Sequence, residues 1–297
     1  MSLGVYVINL DGSADRLAAI AERLEAFGVE FERVPAVDGR KLDLSMLEDY
    51  DDSRAERYMG RALIGAEIGC YRSHLAAAAR FVASGAHYGL VLEDDVVPLC
   101  DPRQLLTQMV PVLDGLDRQW ILANLGAHRT LFGTRVSSFT VGTFTSTLQA
   151  AHYFPVLTRA ILWSRRGAEA FLAGHDKIFA PVDNFFRHWL TRHGHGYALW
   201  PAPFTDAAFG SLIYAAGRSR GQRERRWYYQ FAKHRRLFED KVVAISRLSA
   251  YRLAGSGRNL HQPFVLDLAD GQRGAHRVDV GRRGQGLDDE ALEGGEV

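Results

Sequence analysis

The sequence predicts an α/β fold with a mostly parallel central sheet. Short apolar runs rich in Val, Ile and Leu alternate with segments of helical periodicity, and a strand, a helix and a second strand fall within the first 35 or so residues. The chain has 297 residues, 47% of them hydrophobic and 24% charged. That length and composition are typical of a globular protein with a large core. A chain of this length can form one large domain or one domain with appendages.

The first strand–helix–strand unit opens the chain. Val5–Leu10 predicts a strand, and Ser13 can cap a helix in which Leu17, Ile20 and Leu24 recur at helical spacing. The stretch 29–34 predicts the second strand. No G-x-G-x-x-G motif follows the first strand, which disfavours a dinucleotide-binding site.

A long helix is predicted over Ile64–Ser84, where four consecutive alanines favour the helical state. Ser73 and His74 lie beside small residues in this helix and could line a ligand cleft; a buried, hydrogen-bonded histidine is the simpler alternative. The acidic stretch 41–62 predicts a solvated loop or a short helix.

The remaining elements of the domain follow the same alternation. Residues 126–151, rich in Gly, Ser and Thr, predict a partly β excursion. Strands are predicted at 120–125, 155–163 and 197–200, and helices at 102–113, 165–172 and from Asp183 to about His193.

Three adjacent carboxylates follow a short apolar strand. Leu90–Leu92 predicts a strand buried on both faces, and Glu93, Asp94 and Asp95 come directly after it. Side chains alternate along an extended chain, so Glu93 and Asp95 should point the same way and Asp94 away. Two carboxylates at the carboxyl end of a buried strand suit a hard divalent cation. The alternative is a solvated acidic turn.

The charge of +1 is unevenly distributed along the chain. Residues 1–217 carry a net charge of −4, residues 218–258 of +9, and residues 259–297 of −4. Aromatic residues interleave with the basic residues of 218–258, which predicts an amphipathic helical extension. We expect 1–217 to be the main domain and 259–297, which lacks apolar periodicity, to be disordered.

Cysteine content and hydropathy bear on the cellular setting. Two cysteines form no disulfide framework. The sequence shows no signal peptide and no apolar run of the roughly 20 residues that a membrane span requires. A cytoplasmic protein is the expectation.

Four segments together resemble glycosyltransferase family 25, which transfers sugars to lipopolysaccharide and lipooligosaccharide. They are Val5–Asp11 with Arg16, Val34–Arg40, Gly65–His74 and Val91–Asp95. A fifth piece, Ala160–Ala168 followed by Pro181–Asp183, resembles a later part of the family. The resemblance covers about residues 5–205, with Trp163 as a departure from the usual small or aliphatic residue.

The resemblance implies a GT-A fold in residues 1–217, that is, one Rossmann-like α/β domain that binds a nucleotide sugar. It also implies inverting transfer from that nucleotide sugar, with a divalent cation (Mn²⁺ or Mg²⁺) at the acidic motif. Asp95 and, directly or through water, Glu93 would hold the cation. Asp183 would take the proton of the acceptor hydroxyl. Ordinary capping of its helix is the alternative for Asp183.

The same resemblance assigns substrates. The donor would be a UDP-sugar, with galactose ahead of glucose, and the acceptor a lipid-linked glycan. Ser73 and His74 would lie near the sugar or the diphosphate. The remaining donor contacts would come from residues that follow the first two strands, namely Asn9, Leu10, Arg16, Asp38 and Gly39.

Other functions remain open on the sequence alone. A metal-dependent phosphohydrolase could use the acidic triplet, and a catalytically inactive protein could bind the sugar nucleotide. A nucleic-acid binder using 218–258 is disfavoured by the acidic remainder of the chain, so we expect no nucleic acid. Residues 218–258 would either lie on the inner face of an anionic membrane or pack on the main domain.

Overall fold

A computed structural model describes residues 2–207 and 225–255. An eight-stranded sheet forms its centre, and β4 and β10 form a separate two-stranded antiparallel sheet. The ten strands are β1 (Leu3–Asn9), β2 (Glu32–Pro35), β3 (Tyr88–Glu93), β4 (Val96–Pro98), β5 (Leu122–Asn124), β6 (Leu131–Val141), β7 (Phe144–Tyr153), β8 (Ala160–Ser164), β9 (Gly196–Trp200) and β10 (Phe204–Asp206).

The large sheet has the order β2-β1-β3-β8-β5-β9-β7-β6. The pairings β1–β2, β1–β3 and β5–β9 are parallel, and the other four are antiparallel. Only β8 and β7 run against the remaining strands, so six of the eight strands share one direction. The mostly parallel α/β sheet predicted from the sequence is confirmed.

Seven helices surround the sheet in the described part of the chain. They are α1 (Ala14–Glu25), α2 (Asp52–Met59), α3 (Gly65–Ala83), α4 (Pro102–Leu116), α5 (Arg165–Gly174), α6 (Val182–His193) and α7 (Tyr229–Gly255). The helices predicted from periodicity correspond to α1, α3, α4, α5 and α6. None of the described helices is long and apolar enough to cross a bilayer.

Both faces of the sheet are buried. Val5 and Val7 of β1 pack with α1 and α4 on one face, whereas Tyr6 and Ile8 pack with α3 on the other. Successive side chains of a strand point to opposite faces, and both faces of β1 are covered. Every position from Val5 to Ile8 is therefore apolar, and β1 is a continuous apolar run in the sequence. Two cores separated by the sheet therefore make a three-layer α/β/α domain.

Helix α7 packs on α2, on α6 and on the hairpin β6–β7. Its inward side carries Ala244 and Asp240, both without solvent exposure, and an Asp240 carboxylate oxygen lies 2.5 Å from an Arg192 guanidinium nitrogen in α6. The helix lies within the stretch 218–258 that the sequence set apart. The boundary at 217 and the tail 259–297 stay predictions, because residues 208–224 and 256–297 lie outside the described residues.

Candidate active site at the carboxyl edge of the sheet

The carboxyl ends of β1 and β3 place Asn9 and Glu93 at one edge of the sheet. These two strands are parallel neighbours in register, with Ile8 opposite Glu93. Strand β8 runs antiparallel to β3, so Thr158 and Arg159, which immediately precede β8, lie at the same edge. The Arg159 carbonyl oxygen accepts a hydrogen bond from the Glu93 backbone amide at 2.8 Å. Polar groups from distant parts of the sequence therefore meet where parallel α/β sheets bind ligands.

Asn9 is buried and holds the network together. Its side-chain amide donates to the Asp94 carboxylate at 2.7 Å and to the Ser13 carbonyl at 3.0 Å, which fixes the start of α1. Its side-chain oxygen accepts Arg33 Nε at 3.0 Å. The asparagine is thus fully engaged with protein groups, and it orients Asp94 rather than facing open solvent.

Arg16, in the first turn of α1, bridges two carboxylates. One of its terminal nitrogens lies 2.5 Å from Asp94 and 2.8 Å from Asp95. Strand β3 ends at Glu93, and residues 94 and 95 form a turn. The alternation expected for an extended chain therefore fails here: Asp94 and Asp95 converge on Arg16, while Glu93 accepts a hydrogen bond from Thr158 Oγ1 at 3.0 Å.

The three carboxylates differ in their pKa values. Burial raises the pKa of Asp94 and of Asp95, and the pull of Arg16 does not compensate. Burial also acts to raise the pKa of Glu93, but contacts with His74 and Thr158 outweigh it and leave that pKa below its ordinary value. Glu93 is the carboxylate whose charge the protein accommodates best.

The residues at this edge fit a divalent cation. Four carboxylates (Glu93, Asp94, Asp95 and Asp206) lie with two arginines, Arg16 and Arg159, and the latter pairs with Asp206. Two negative charges remain uncompensated within this group. A divalent ion held by carboxylate oxygens would offset them, which agrees with the raised pKa values of Asp94 and Asp95.

His74 and Cys70 extend the set of metal-binding side chains toward α3. The ligand atoms of Cys70, His74 and Glu93 all lie within 4.8 Å of one another. His74 is 2% exposed, and neither ring nitrogen has a hydrogen-bond partner in the described part of the chain. Burial keeps the pKa of Cys70 well above its usual value, so its sulfur is a protonated thiol, a poorer ligand than a thiolate.

The motif Asp38-Gly39 packs against the start of α3. A Cβ on Gly39 would lie 1.8 Å from the Gly65 carbonyl oxygen, and a Cβ on Gly69 would lie 2.5 Å from the Val37 oxygen. Ser73 Oγ accepts the Val37 amide at 2.9 Å and donates to the Gly69 carbonyl at 2.7 Å. These small residues allow two backbones to approach closely.

These contacts give Ser73, Gly39 and Asp38 structural roles of their own. The Ser73 hydroxyl is occupied within the protein. Asp38 accepts hydrogen bonds from the Arg40 backbone and guanidinium, and the side-chain bond to Arg40 lowers the pKa of Asp38 to about 2. The Ala36 amide donates to the Asn9 carbonyl at 2.9 Å, so this loop begins beside the edge described above. Leu10 follows Asn9 at the same edge.

Asp183 lies in the first turn of α6. Pro181 occupies the cap position, and one Asp183 carboxylate oxygen accepts the Asn184 backbone amide at 2.6 Å and the Asn184 side chain at 2.8 Å. The charges of Glu93 and Asp183 both contribute to the raised pKa of Cys70, after burial. Asp183 is therefore close enough to Cys70 of α3 for its charge to act on that thiol.

Sequence reasoning missed four residues at this edge: His128, Thr158, Arg159 and Asp206. Arg159 is buried, and His128 Nε2 lies 3.3 Å from its guanidinium. Gly126 leaves room for Arg159, since a Cβ there would lie 2.3 Å from its Cγ. No local pattern marks these residues, because long-range strand pairing brings them to the site: Thr158 and Arg159 precede the antiparallel β8, His128 follows β5, and Asp206 ends β10.

Part of the chain matches a known protein family. Residues 2–138 match the profile of glycosyltransferase family 25, described as an LPS biosynthesis protein. Curated proteins named as members of the same family match as well. Residues 2–138 are therefore similar to glycosyltransferase family 25.

The curated proteins that match this chain carry different names. A "Glycosyltransferase 25 family member" of Aedes aegypti is 34% identical over 96 residues, 31% of this chain and 16% of that protein. The mouse "Procollagen galactosyltransferase 2" is 27% identical over 195 residues, 64% and 30% of the two chains. A Bos taurus protein named "Probable inactive glycosyltransferase 25 family member 3" is 29% identical over 275 residues, 90% and 44%.

The chain spans less than half the length of each of these three relatives. Among solved structures, a glycosyltransferase involved in glycosylation of the major capsid of PBCV-1 shares 12% identity, with a TM-score of 0.36 over 71% of this chain and 95% of that one.

Proposed function

We propose that this chain is an inverting, metal-dependent glycosyltransferase that moves a hexose from a UDP-sugar to a glycan. The observation that carries the proposal is the cluster of Glu93, Asp94 and Asp95 at the carboxyl edge of the sheet, with uncompensated negative charge, in a chain whose residues 2–138 match the family 25 profile. Galactose is the first donor sugar to test because the mouse relative is named a galactosyltransferase.

Glu93 and Asp95 would hold the cation, with His74 the nearest further ligand. When bound, a divalent cation offsets the charge of the departing diphosphate. Asn9 and Arg16 set the position of the carboxylates around it: Arg16 joins the two aspartates, and Asn9 fixes Asp94. Leu10, Asp38 and Gly39 belong to the loops after β1 and β2, from which we expect the remaining donor contacts.

Asp183 is our candidate general base. In the proposed reaction, the acceptor hydroxyl oxygen forms a bond to the anomeric carbon from the face opposite UDP, the bond from that carbon to the diphosphate breaks, and the hydroxyl proton passes to an Asp183 carboxylate oxygen. Its second carboxylate oxygen is free of the contacts with Asn184 and can receive that proton.

A donor panel tests the reaction. The full chain is incubated with Mn²⁺, a mixture of oligosaccharide acceptors and each UDP-sugar in turn, and the release of UDP and of inorganic phosphate is measured separately. UDP release with UDP-galactose that depends on an acceptor is expected. Phosphate release without UDP would indicate a phosphohydrolase. Binding of UDP without turnover of any sugar would indicate an inactive binding protein, as the name of the bovine relative suggests for that protein.

We further propose that the acceptor is lipid-linked and that α7 rests on an anionic membrane. Opposite the buried face of α7 lies a stripe of exposed apolar side chains, namely Phe231, Phe238, Val242, Ile245 and Leu253. One face of the helix packs on the domain, and the opposite face is exposed and accessible to a bilayer surface. Basic side chains along such a helix add attraction to anionic lipids.

Vesicle flotation of the full chain tests this second proposal. Binding to anionic but not to neutral vesicles is expected, with loss of binding at high salt. The double substitution Phe238→Ser with Ile245→Ser removes exposed apolar groups without touching the packed face, and should abolish flotation at an unchanged melting temperature. Flotation of that variant at the wild-type level would contradict the proposal.

A further inference from the structure

A cavity of about 520 Å³ lies between α2, α6 and the start of α7, and no residue of the carboxylate edge lines it. Three arginines contribute to its walls: Arg54 and Arg57 from α2 and Arg235 from α7. None of the residues that line it is acidic. We call it the arginine cavity. Its volume is within the usual range for small-ligand sites, roughly 300–1,000 Å³.

The positive charge of the arginine cavity is poorly neutralised. Within residues 2–207 and 225–255, no carboxylate lies within salt-bridge distance of the side chain of Arg54 or Arg57. Arg54 instead lies over the ring of Phe179, with 3.7 Å from its guanidinium carbon to the ring centroid. Arg235 Nε lies 3.7 Å from a Glu239 carboxylate oxygen, and the Arg235 guanidinium donates a hydrogen bond to the Arg57 carbonyl. Arginines in this state are available to an anionic ligand.

Aromatic rings form the rest of the wall. Trp227 and Phe231 line the cavity and are 95% and 69% exposed, which is unusual for side chains of this size. On the opposite side, Tyr58 and His188 carry buried polar atoms, the Tyr58 hydroxyl and His188 Nδ1, without a hydrogen-bond partner among the described residues. Burial lowers the pKa of His188 to about 4, so its ring is neutral near pH 7 and can donate or accept one hydrogen bond at each nitrogen.

This combination matches one class of ligand. Guanidinium groups pair with phosphate or carboxylate groups, often through two parallel hydrogen bonds. Exposed aromatic faces bind the apolar faces of sugar rings, and buried polar atoms without partners can bond to hydroxyls. A sugar that carries a phosphate or a carboxylate satisfies all three kinds of group.

The position of the cavity connects it with the acceptor. Helix α6 carries Asp183, the candidate base, in its first turn and His188 further along. Phe179 immediately precedes the same helix. We propose that the arginine cavity is the subsite for a negatively charged sugar residue of the glycan acceptor. The assignment to the acceptor rests on the proposed function, whereas the binding of an anionic sugar does not.

Calorimetric titration of the full chain tests the binding. The probes are glucose 6-phosphate and galacturonate, their neutral counterparts glucose and galactose, inorganic phosphate and UDP. We expect the anionic sugars to bind at least tenfold more tightly than the neutral sugars and than phosphate. The double substitution Arg54→Gln with Arg57→Gln should remove that preference but leave UDP binding unchanged. Arg166→Gln, which changes an exposed arginine on α5, is the matched control and should bind all probes as the wild type does.

Three results would overturn the proposal. The first is equal affinity for glucose and glucose 6-phosphate, and the second is an unchanged preference for anionic over neutral sugars in the double variant. The third is inorganic phosphate binding as tightly as glucose 6-phosphate, which would indicate a phosphate site without sugar recognition. Trp227→Ala tests the aromatic wall and should weaken the anionic sugars severalfold without affecting phosphate. Because the substituted side chains are exposed, the melting temperatures of all variants should match that of the wild type.

Transfer assays separate this inference from the proposed function. If anionic sugars bind through Arg54 and Arg57 but no UDP-sugar is ever turned over, the binding site stands and the proposed function fails. If the wild type transfers sugar and the double variant uses anionic acceptors as efficiently as the wild type, the function stands and the subsite is wrong. A rise in KM confined to anionic acceptors, at unchanged kcat, is the expected result.

Discussion

Asp95 is a carboxylate whose surroundings disfavour its charge. Its pKa in the folded chain lies above its ordinary value because of burial and the charge of Glu93, so the folded state is penalised at pH values above both pKa values. Asp95→Asn should therefore raise the melting temperature at pH 7 without cation, while turnover falls by roughly 10²–10³-fold. Thermal melting and UDP release measure the two effects.

The exposed Asp176→Asn provides the control for that variant, and should change neither property. Near wild-type turnover of Asp95→Asn with Mn²⁺ would show that Asp95 does not hold the cation. A lower melting temperature would show that the Arg16 pair outweighs burial.

Asp183→Asn separates a catalytic role of Asp183 from a structural role in the first turn of α6; Pro181, and not Asp183, occupies the cap position that the sequence left as an alternative. Asparagine keeps an oxygen that can accept the Asn184 amide, so helix α6 and the melting temperature should be unaffected. It cannot take a proton, and turnover should fall by roughly 10²–10⁴-fold. UDP affinity, measured by calorimetry, should stay the same. Equal losses in UDP affinity and turnover would move Asp183 to the donor side, and full activity would leave it a structural residue of the first turn.

Individual residues of the site were predictable only where the motif itself supplied them. Glu93 and Asp95 were found because a buried strand ends in carboxylates, and Arg16 because of its place in the family motif. The orientation of the carboxylates was not predictable from alternation, since a turn begins immediately after Glu93. Arg159 and Asp206 were missed because their proximity depends on strand order and not on sequence spacing.

At the level of elements, the contact between the Asp38-Gly39 loop and α3 is sensitive to a single methyl group. Gly39→Ala would place a Cβ 1.8 Å from the Gly65 carbonyl oxygen, so the backbone must shift. Overpacking of this kind costs roughly 1–3 kcal/mol in the free energy of unfolding. Chemical denaturation should show that loss. Gly12→Ala is the matched control, because a Cβ there meets nothing within 4 Å.

Gly12→Ala should be neutral or should stabilise the chain by about 0.4–1 kcal/mol through the unfolded state. Equal stability of the Gly39 and Gly12 variants would mean that the loop moves aside at no cost.

Most elements were predictable because their apolar residues repeat with the period of the structure. The strands β1 and β9 and the helices α1, α3 and α6 lie within a few residues of the predicted positions. The hairpin β6–β7 was expected only as a partly β excursion, because its alternation is interrupted by polar pairs such as Ser138 with Thr147, which bond at 3.0 Å between their hydroxyls.

For the whole molecule, buried histidines predict a loss of stability in mild acid. Burial, with the charges of Arg247 and Arg252, lowers the pKa of His152 to about 4 from its ordinary 6.5. Between these pH values the unfolded chain binds the proton that the folded chain excludes, so stability falls as the pH drops from about 6.5 to 4. At pH 5 the contribution of His152 is at most about 2 kcal/mol.

Urea denaturation of the wild type and of His152→Gln at pH 7 and pH 5 measures this contribution. The stability that the wild type loses between the two pH values should exceed the loss of the variant. Burial of Asp94 and Asp95 acts in the opposite direction, since a raised carboxyl pKa favours the folded state in acid, but it is common to both proteins and cancels in the comparison. Identical losses would show that His152 is protonated in the folded chain.

The strand order of the sheet and the burial of both its faces are properties of the whole molecule, and only part of them could be predicted from the sequence. A parallel α/β arrangement could be predicted, because the apolar strands alternate with amphipathic helices. The reversed direction of β8 and the docking of α7 on α2 and α6 could not, because long-range pairings leave no local period in the sequence.

The packing of α7 has a consequence for the order of events during synthesis. The ribosome synthesises the segments of β1 to β10 and α1 to α6 before it reaches Asp240, the partner of Arg192. Until then, the surfaces of α2, α6 and β7 that α7 covers are open to water and to other nascent chains. The described part of the domain thus reaches its final form only when α7 has emerged.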